Sequence, residues 1–446
     1  MPVGDILRAR CRISLRRAVA AVSLAGALVG VGVVPVSAAS EGNWWFDGFG
    51  VAEVQAQGIT GAGVKVAVID GQINPGLPSF TGTKLRVHPE AFCGGSAVNT
   101  QLTEDSRHGS DMVRLVVGNG QGPAGVRGIA PGAQVTFYGM GKLGGCLDAL
   151  AGPIAQAVAD GNKIISTSLA YDTFSVSDKE AVAKAQAADV IIVAAASNRT
   201  SQFSQKYPYS LAGVVAVGAF DSKGALMADG DAPGGGPLID PGVDVLAPGV
   251  DIAGDGSMNS NDWSVAHVAT GTSNATPLTA GVLADVWQKY PKATANQVLQ
   301  SLVRKNQVLQ SLVRNTGPQD HPLSVDKASG RGFGAVSLRH MLRVDPGKYP
   351  DVNPLTQGKE ALPGEAVASA PAVSALGGAV APASAAAAGG AVPEASGGAQ
   401  VAAAGQGSAV VLWWVIGASV AVVVLAVVVL VVMLRGRRLR GLRVGS

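Results

Sequence analysis

An α/β domain, with a mainly parallel sheet covered by helices on both faces, is the fold class this sequence predicts. Five apolar runs come first: residues 64–70 (VKVAVID), 134–140 (QVTFYGM), 163–170 (KIISTSLA), 189–197 (DVIIVAAAS) and 213–220 (GVVAVGAF). They are continuously apolar rather than alternating, as strands buried on both faces are. Ala-rich helical stretches lie between them, CLDALAGPIAQAVADG at 146–161 and SDKEAVAKAQAA at 177–188. Strands separated by helices imply crossover connections and a parallel sheet. In such sheets functional side chains gather at the carboxyl ends of the strands.

The two ends of the chain lie outside this pattern. Arg8, Arg10, Arg12, Arg16 and Arg17 precede an apolar run at 18–34, and the small residues of VSAAS at 36–40 offer cleavage near Ala38 or Ala39. Residues 1–39 therefore read as an export signal, leaving 40–60 as a short N-terminal extension. At the other end, 409–434 reads as a transmembrane helix, with no charge from Val410 to Leu434. Twenty-five residues of helix span about 37 Å, enough for a hydrocarbon core of roughly 30 Å. Trp413 and Trp414 suit the outer interface, and the Arg-rich tail at 435–446 should be cytoplasmic. These features predict a single-pass protein of the cell membrane with its bulk extracytoplasmic.

Between these ends, residues 61–350 are expected to form one large domain. Residues 351–408 are expected to form an Ala/Gly/Pro-rich flexible linker, too poor in large apolar groups to bury a core. The signal contributes a net +4 and the tail +5 to a whole-chain charge of +3, so the part between is acidic by about six charges. An acidic ectodomain gives no reason to expect nucleic acid as a partner. No metal-ligand spacing or cofactor motif is present, and no aromatic clusters suggest carbohydrate binding. Of three cysteines, Cys11 leaves with the signal, and Cys93 and Cys146 are expected to form one disulfide outside the cell.

NQVLQSLVR occurs twice, at 296–304 and 306–314. A ten-residue shift falls about 80° short of three helical turns, so the copies cannot present one apolar face on a straight helix. One copy should dock and the other extend, loop out or bend.

The chemistry concentrates at four positions. Asp70 ends the first strong strand, and His108 lies in EDSRHGSDMVRLVVG, a Gly-punctuated turn before an apolar helical run. Ser273 opens a second such run within GTSNATP. A serine hydroxyl attacks acyl carbon only when a base takes its proton and a third group fixes the base's tautomer. Asp, His and Ser in that chain order supply those roles. Asn198, just past the strand VIIVAAASN, offers an amide to an oxyanion together with the Ser273 backbone N–H. Asp105 reads as part of a solvated loop, and His88, His267, His321 and His340 as structural.

GTSNATP matches the G-T-S-x-A-x-P motif of subtilases, the subtilisin-like serine proteases, at every fixed position. VAVID, HGS, VAAASN, GVRGIAP, VLAPG and GRGFGAVSLRHML resemble further landmarks of that family, in order, across residues 61–342. The resemblance implies a subtilisin-like peptidase domain at 61–350 and assigns Asp70, His108 and Ser273 to the triad and Asn198 to the oxyanion hole. It places Ser168, Leu169 and Ala170 along an extended peptide substrate, and it requires no cofactor. The chain departs from the family pattern at Gly71, Arg107, Ser110 and Ala170, which bears on substrate fit and efficiency. The signal, short extension, stalk, membrane helix and basic tail resemble the mycosins of actinobacterial type VII secretion.

Two functions are compatible with this pattern. One is a membrane-anchored endopeptidase acting on exported protein or peptide, associated with secretion-complex subunits. The other is a weak or inactive subtilase-fold scaffold that stabilises a membrane secretion complex.

Overall fold

The computed structural model describes residues 42–141, 150–232, 234–304, 324–363 and 374–375. The signal 1–39, the second NQVLQSLVR copy, most of the linker, the apolar segment 409–434 and the basic tail lie outside them. Among the described residues no helix is long and apolar enough to cross a membrane.

Seven strands form the central sheet: β1 (Lys65–Asp70), β2 (Leu85–Val87), β3 (Gln134–Gly139), β4 (Ile164–Thr167), β5 (Ile191–Ala195), β6 (Val215–Phe220) and β7 (Val245–Pro248). Their order is β2-β3-β1-β4-β5-β6-β7, and every pairing is parallel. The five runs read from sequence are five of these strands. β2 and β7 were not anticipated: β2 is only three residues long and half exposed, and β7 is four residues that end in proline.

Side-chain alternation divides the interior into two cores. Val66 and Val68 of β1 face one, Ala67 and Ile69 the other. The helices that cover the sheet are α3 (Glu104–Val117), α4 (Ala151–Ala159), α5 (Val176–Ala187), α6 (Thr272–Lys289) and α7 (Ala295–Arg304). Residues of α3, α6 and α7 pack with Val66 and Val68, and residues of α4 and α5 with Ala67 and Ile69. The first NQVLQSLVR copy docks on this core, burying Val298, Leu299, Leu302 and Val303.

The N-terminal extension is part of the core. Two short helices, α1 (Trp44–Gly48) and α2 (Val51–Ala56), bury Trp45, Val51 and Val54. The Trp44 indole donates to the Val250 carbonyl at 3.1 Å. A hairpin that alternation did not reveal, β8 (Ile252–Ser257) and β9 (Asp262–Ala269), precedes α6.

The expected boundary at 350 and the linker beginning at 351 need correction. Residues 351–363 are packed on the domain: Leu355 and Leu362 are buried. Lys359 Nζ donates to the Tyr209 and Val214 carbonyls at 3.0 and 2.6 Å and to Asp244 Oδ2 at 2.5 Å. Composition concealed this because a Lys-Glu pair in a polar stretch reads as solvated, and the partners lie more than a hundred residues away.

Asp285 of α6 is fully buried, and among the described residues neither carboxylate oxygen has a partner within hydrogen-bond geometry. Burial drives its carboxyl well above the usual range, offset only in part by the nearby Gly61 amide. A raised folded-state value costs stability as pH climbs above the unfolded value near 4, because the unfolded carboxyl ionises first. Asp285→Asn should therefore leave stability near that of the parent at pH 4. At pH 8 it should raise stability by about 1–3 kcal/mol. Urea unfolding at both pH values checks this; a variant no more stable than its parent at pH 8 would contradict it.

Candidate active site

Asp70 is the last residue of β1 and fully buried. Its Oδ1 accepts the Gly71 N–H at 2.7 Å and lies 2.9 Å from His108 Nδ1. Gly71, a departure from the family pattern, therefore still holds the carboxylate through its backbone. A carboxylate at Nδ1 fixes the tautomer that leaves Nε2 free to accept a proton.

His108 stands inside α3 rather than in a turn before it. The helix begins earlier than expected because Thr103 and Ser106 form a capping box, each side chain bonding the other's backbone N–H. Gly109 is required by close approach: an added Cβ would lie 2.2 Å from the Gln72 carbonyl oxygen. Ser110, in place of the family threonine, is buried, donates to the Ser106 carbonyl at 2.6 Å and accepts the Asn74 N–H at 3.0 Å. Arg107 pairs with Glu104, three residues before it on the same helix, at 2.6 Å.

The His108 side chain is 26% exposed. Burial alone would lower its pKa, but the charge of Asp70, the hydrogen bond to it, and the charges of Asp111 and Glu104 together raise it to about 9. An imidazolium cannot accept a proton, so the acid limb of any activity that uses His108 as base should lie near 9, above the ordinary 6.5. The His108–Asp70 contribution to stability has the opposite trend, present in full below about 6.5 and lost as pH rises through about 9. A pH profile of kcat/KM checks the first point. Glu104→Gln should move the limb downward, and a limb at 6 to 7 in the parent would refute the assignment.

Ser273 is the second residue of α6, half-buried at the N-terminus of an 18-residue helix. Pro277 has no N–H to give the Ser273 carbonyl four residues back. That carbonyl accepts the Ser168 hydroxyl instead, at 3.0 Å, which ties the helix start to the end of β4. Gly271, just before the helix, donates its N–H to the Gly249 carbonyl at 2.8 Å, which accounts for the VLAPG landmark. First-turn N–H groups have no partners within a helix and, with the macrodipole, favour negative charge.

Asn198 is oriented by this same turn. Its Oδ1 accepts the Thr272 N–H at 2.8 Å and the Thr272 hydroxyl at 3.1 Å. With the oxygen so occupied, the Nδ2 donors are the end left for a ligand. Asn198, His108, Ser168, Leu169 and Ala170 line one cleft of about 270 Å³, together with Ala195–Ser197, Gln202 and Gln205. Ser168 spends its hydroxyl on Ser273 O and on Met112 Sδ, at 3.2 Å. Ala170 is the exposed member of the predicted substrate strand. None of the described extension residues 42–60 lines this cleft.

Among the described residues no hydrogen bond joins His108 Nε2 to Ser273 Oγ. Such bonds are often long in ligand-free sites and tighten with substrate. Glu104 and Asp105 also line the cleft, from the first turn of α3. Asp105, expected in a solvated loop, stands in the helix because the Thr103–Ser106 capping box starts it one residue earlier. Cys93 is disulfide-bonded; Cys146 lies outside the described residues. His267, read as structural, lies 3.0 Å from Asp111 Oδ2, in a buried cluster with Arg114 and Asp255. Among the described residues there is no group of three or more side chains that could hold a metal ion.

Residues 61–334 match the subtilase family, Peptidase S8. Subtilisin DY from Bacillus licheniformis is 34% identical over 257 residues, covering 56% of this chain and 86% of that protein. Fervidolysin from Fervidobacterium pennivorans is 28% identical over 322 residues, and the chain spans 43% of its length. Its crystal structure, described as a keratinolytic enzyme related to subtilisin, superposes with a TM-score of 0.53 at 24% identity, over 68% of this chain and 45% of that one. The crystal structure of MycP1 from Mycobacterium smegmatis gives 0.52 at 19% identity, over 74% and 91% of the two chains. At these identities the two solved structures indicate a shared fold alone.

Proposed function

The chain belongs to the subtilase family, and on that premise we propose that it is an extracytoplasmic serine endopeptidase anchored in the cell membrane. The observation that carries the reading is the convergence of two constraints on one cleft. Asp70 holds His108 at 2.9 Å, and Thr272, the residue before Ser273, holds Asn198 at 2.8 Å.

In this mechanism an extended polypeptide lies along Ser168–Ala170 with a carbonyl carbon over Ser273. His108 Nε2 takes the Oγ proton as Oγ bonds to carbon. Asn198 Nδ2 and the Ser273 N–H receive the oxyanion. Collapse of the tetrahedral species breaks the C–N bond, and the imidazolium passes its proton to the leaving amine. Water, activated by the same imidazole, then releases the acyl group.

The anchor at 409–434, the cytoplasmic tail and the type VII secretion role belong to this proposal. They rest on the apolar run, the arginines after it and the mycosin-like order of segments, and the fold likeness to MycP1 is in keeping with them. We assign Cys146 as the partner of Cys93, since Cys11 falls within the export signal. The second reading, a scaffold with an unactivated serine, draws on the unformed His108–Ser273 hydrogen bond.

Labelling of the full-length protein with a fluorophosphonate, followed by peptide mapping, separates the two. Label on Ser273 that is lost in His108→Ala identifies an activated nucleophile. A folded protein that takes no label at any pH up to 10 rules the protease out.

A further inference from the structure

Residues 351–363 do more than pack on the domain. We propose that this strap, through Glu360, positions the substrate-binding wall of the cleft, an inference that rests on the protease reading. Glu360 is inserted by its backbone, donating its N–H to the Ser210 carbonyl at 3.0 Å and accepting the Ala212 N–H at 2.8 Å. Lys359 pins it from below through Asp244, with 7 and 8% of the two side chains exposed.

The Glu360 carboxylate takes the Tyr207 hydroxyl at 2.5 Å and Lys179 Nζ at 2.6 Å. Tyr207 is the joint between the two sides of the cleft. Its backbone exchanges both hydrogen bonds with Tyr171, at 2.9 and 3.1 Å. Its ring stacks on Phe174 at 5.6 Å, with the planes 4° apart. Tyr171 directly follows Ala170, the exposed residue of the substrate strand, and Tyr207 lies two residues after Gln205 of the opposite wall. Ser204 Oγ donates to Asp172 Oδ1 at 2.8 Å, a second tie between the same loops.

Both walls therefore end at one joint, and Glu360 is the carboxylate that holds the Tyr207 hydroxyl there. Loops held by few buried contacts open locally at low free-energy cost, and a small misplacement of a bound peptide costs rate steeply. The hydrogen bond to Glu360, then burial, raise the Tyr207 phenol to about 12, so it remains the donor throughout the working pH range. The Glu360 carboxyl is held below its usual range by Lys179 and Tyr207 and stays ionised.

The test uses the full-length protein, with Glu360→Ala, Glu360→Gln and Tyr207→Phe. Two substrates separate the wall from the triad: an N-capped tetra-alanine p-nitroanilide, which needs the wall, and p-nitrophenyl acetate, too small to reach it. Glu360→Ala should raise KM for the tetrapeptide about 10-fold while acetate hydrolysis stays within about twofold. Glu360→Gln, still able to accept the Tyr207 hydroxyl, should recover most of the loss. Amide exchange at 168–174 and 202–207 should quicken in Glu360→Ala. Tyr207→Phe, which deletes one hydroxyl and keeps the Lys179 pair, should raise KM in the same direction and carries the test if Glu360→Ala fails to fold. Unchanged KM and exchange, or an equal fall on both substrates, would overturn the positioning role. Wild-type protein that hydrolyses neither substrate overturns the protease reading instead; exchange then decides the strap alone, with unchanged rates refuting it and faster ones upholding it.

Discussion

Ser273→Ala should abolish fluorophosphonate labelling and lower peptide hydrolysis by about 10⁶-fold in kcat, with the protein otherwise intact. The fold should tolerate the change because Ser273 contributes to structure through its backbone. Its carbonyl still accepts the Ser168 hydroxyl, and its hydroxyl has no hydrogen bond to lose among the described residues. Alanine is also a favourable helix residue. His108→Ala should cost about as much, and the double variant little more than either, because nucleophile and base act as a unit. Active-site titration beside thermal unfolding checks this. Additive losses, or residual labelling of Ser273→Ala at another serine, would place the nucleophile elsewhere.

Asn198→Ala is expected to lower kcat by about 10²–10³-fold, some 3 kcal/mol of barrier, with KM little changed. An oxyanion donor acts on charge that develops only in the transition state, so substrate affinity should be spared. The same replacement removes the acceptor of the Thr272 N–H and hydroxyl. Thr272 is buried, so stability should fall by about 1–3 kcal/mol as well. Thr272→Val isolates the stability effect, since it deletes the hydroxyl that bonds the Ala196 carbonyl and Asn198 Oδ1 while the Thr272 N–H still holds the amide in place. Asn198→Ala with a raised KM and unchanged kcat would mean that the amide binds substrate rather than the oxyanion.

The family landmarks were legible because each answers a local physical demand. Pro277 lacks an N–H, so the Ser273 carbonyl is free for Ser168. Gly109 passes too close to the Gln72 carbonyl for a side chain. Gly71 and Ser110 depart from the family pattern yet keep the bonds that hold Asp70 and α3. The start of α3 was misplaced because its cap is a reciprocal Thr103–Ser106 arrangement, less familiar than a box closed by Glu or Gln. The hairpin β8–β9 escaped because β9 is largely exposed and its apolar residues do not alternate cleanly.

The sequence by itself determined five of the seven strands of the sheet, the order of the candidate triad and the place of Ser273 at a helix start. Continuous apolar runs can be satisfied only by burial on both faces, and glycine and proline restrict the backbone wherever they stand. Only the tertiary structure decided that residues 351–363 pack on the domain and what holds the cleft walls. Lys359 and Glu360 are charged residues in a polar stretch, and charge favours water unless a partner compensates. Their partners, Asp244, Tyr207 and Lys179, lie 115 to 181 residues away along the chain. Pairing over such separations depends on how the layers stack, which no local pattern records.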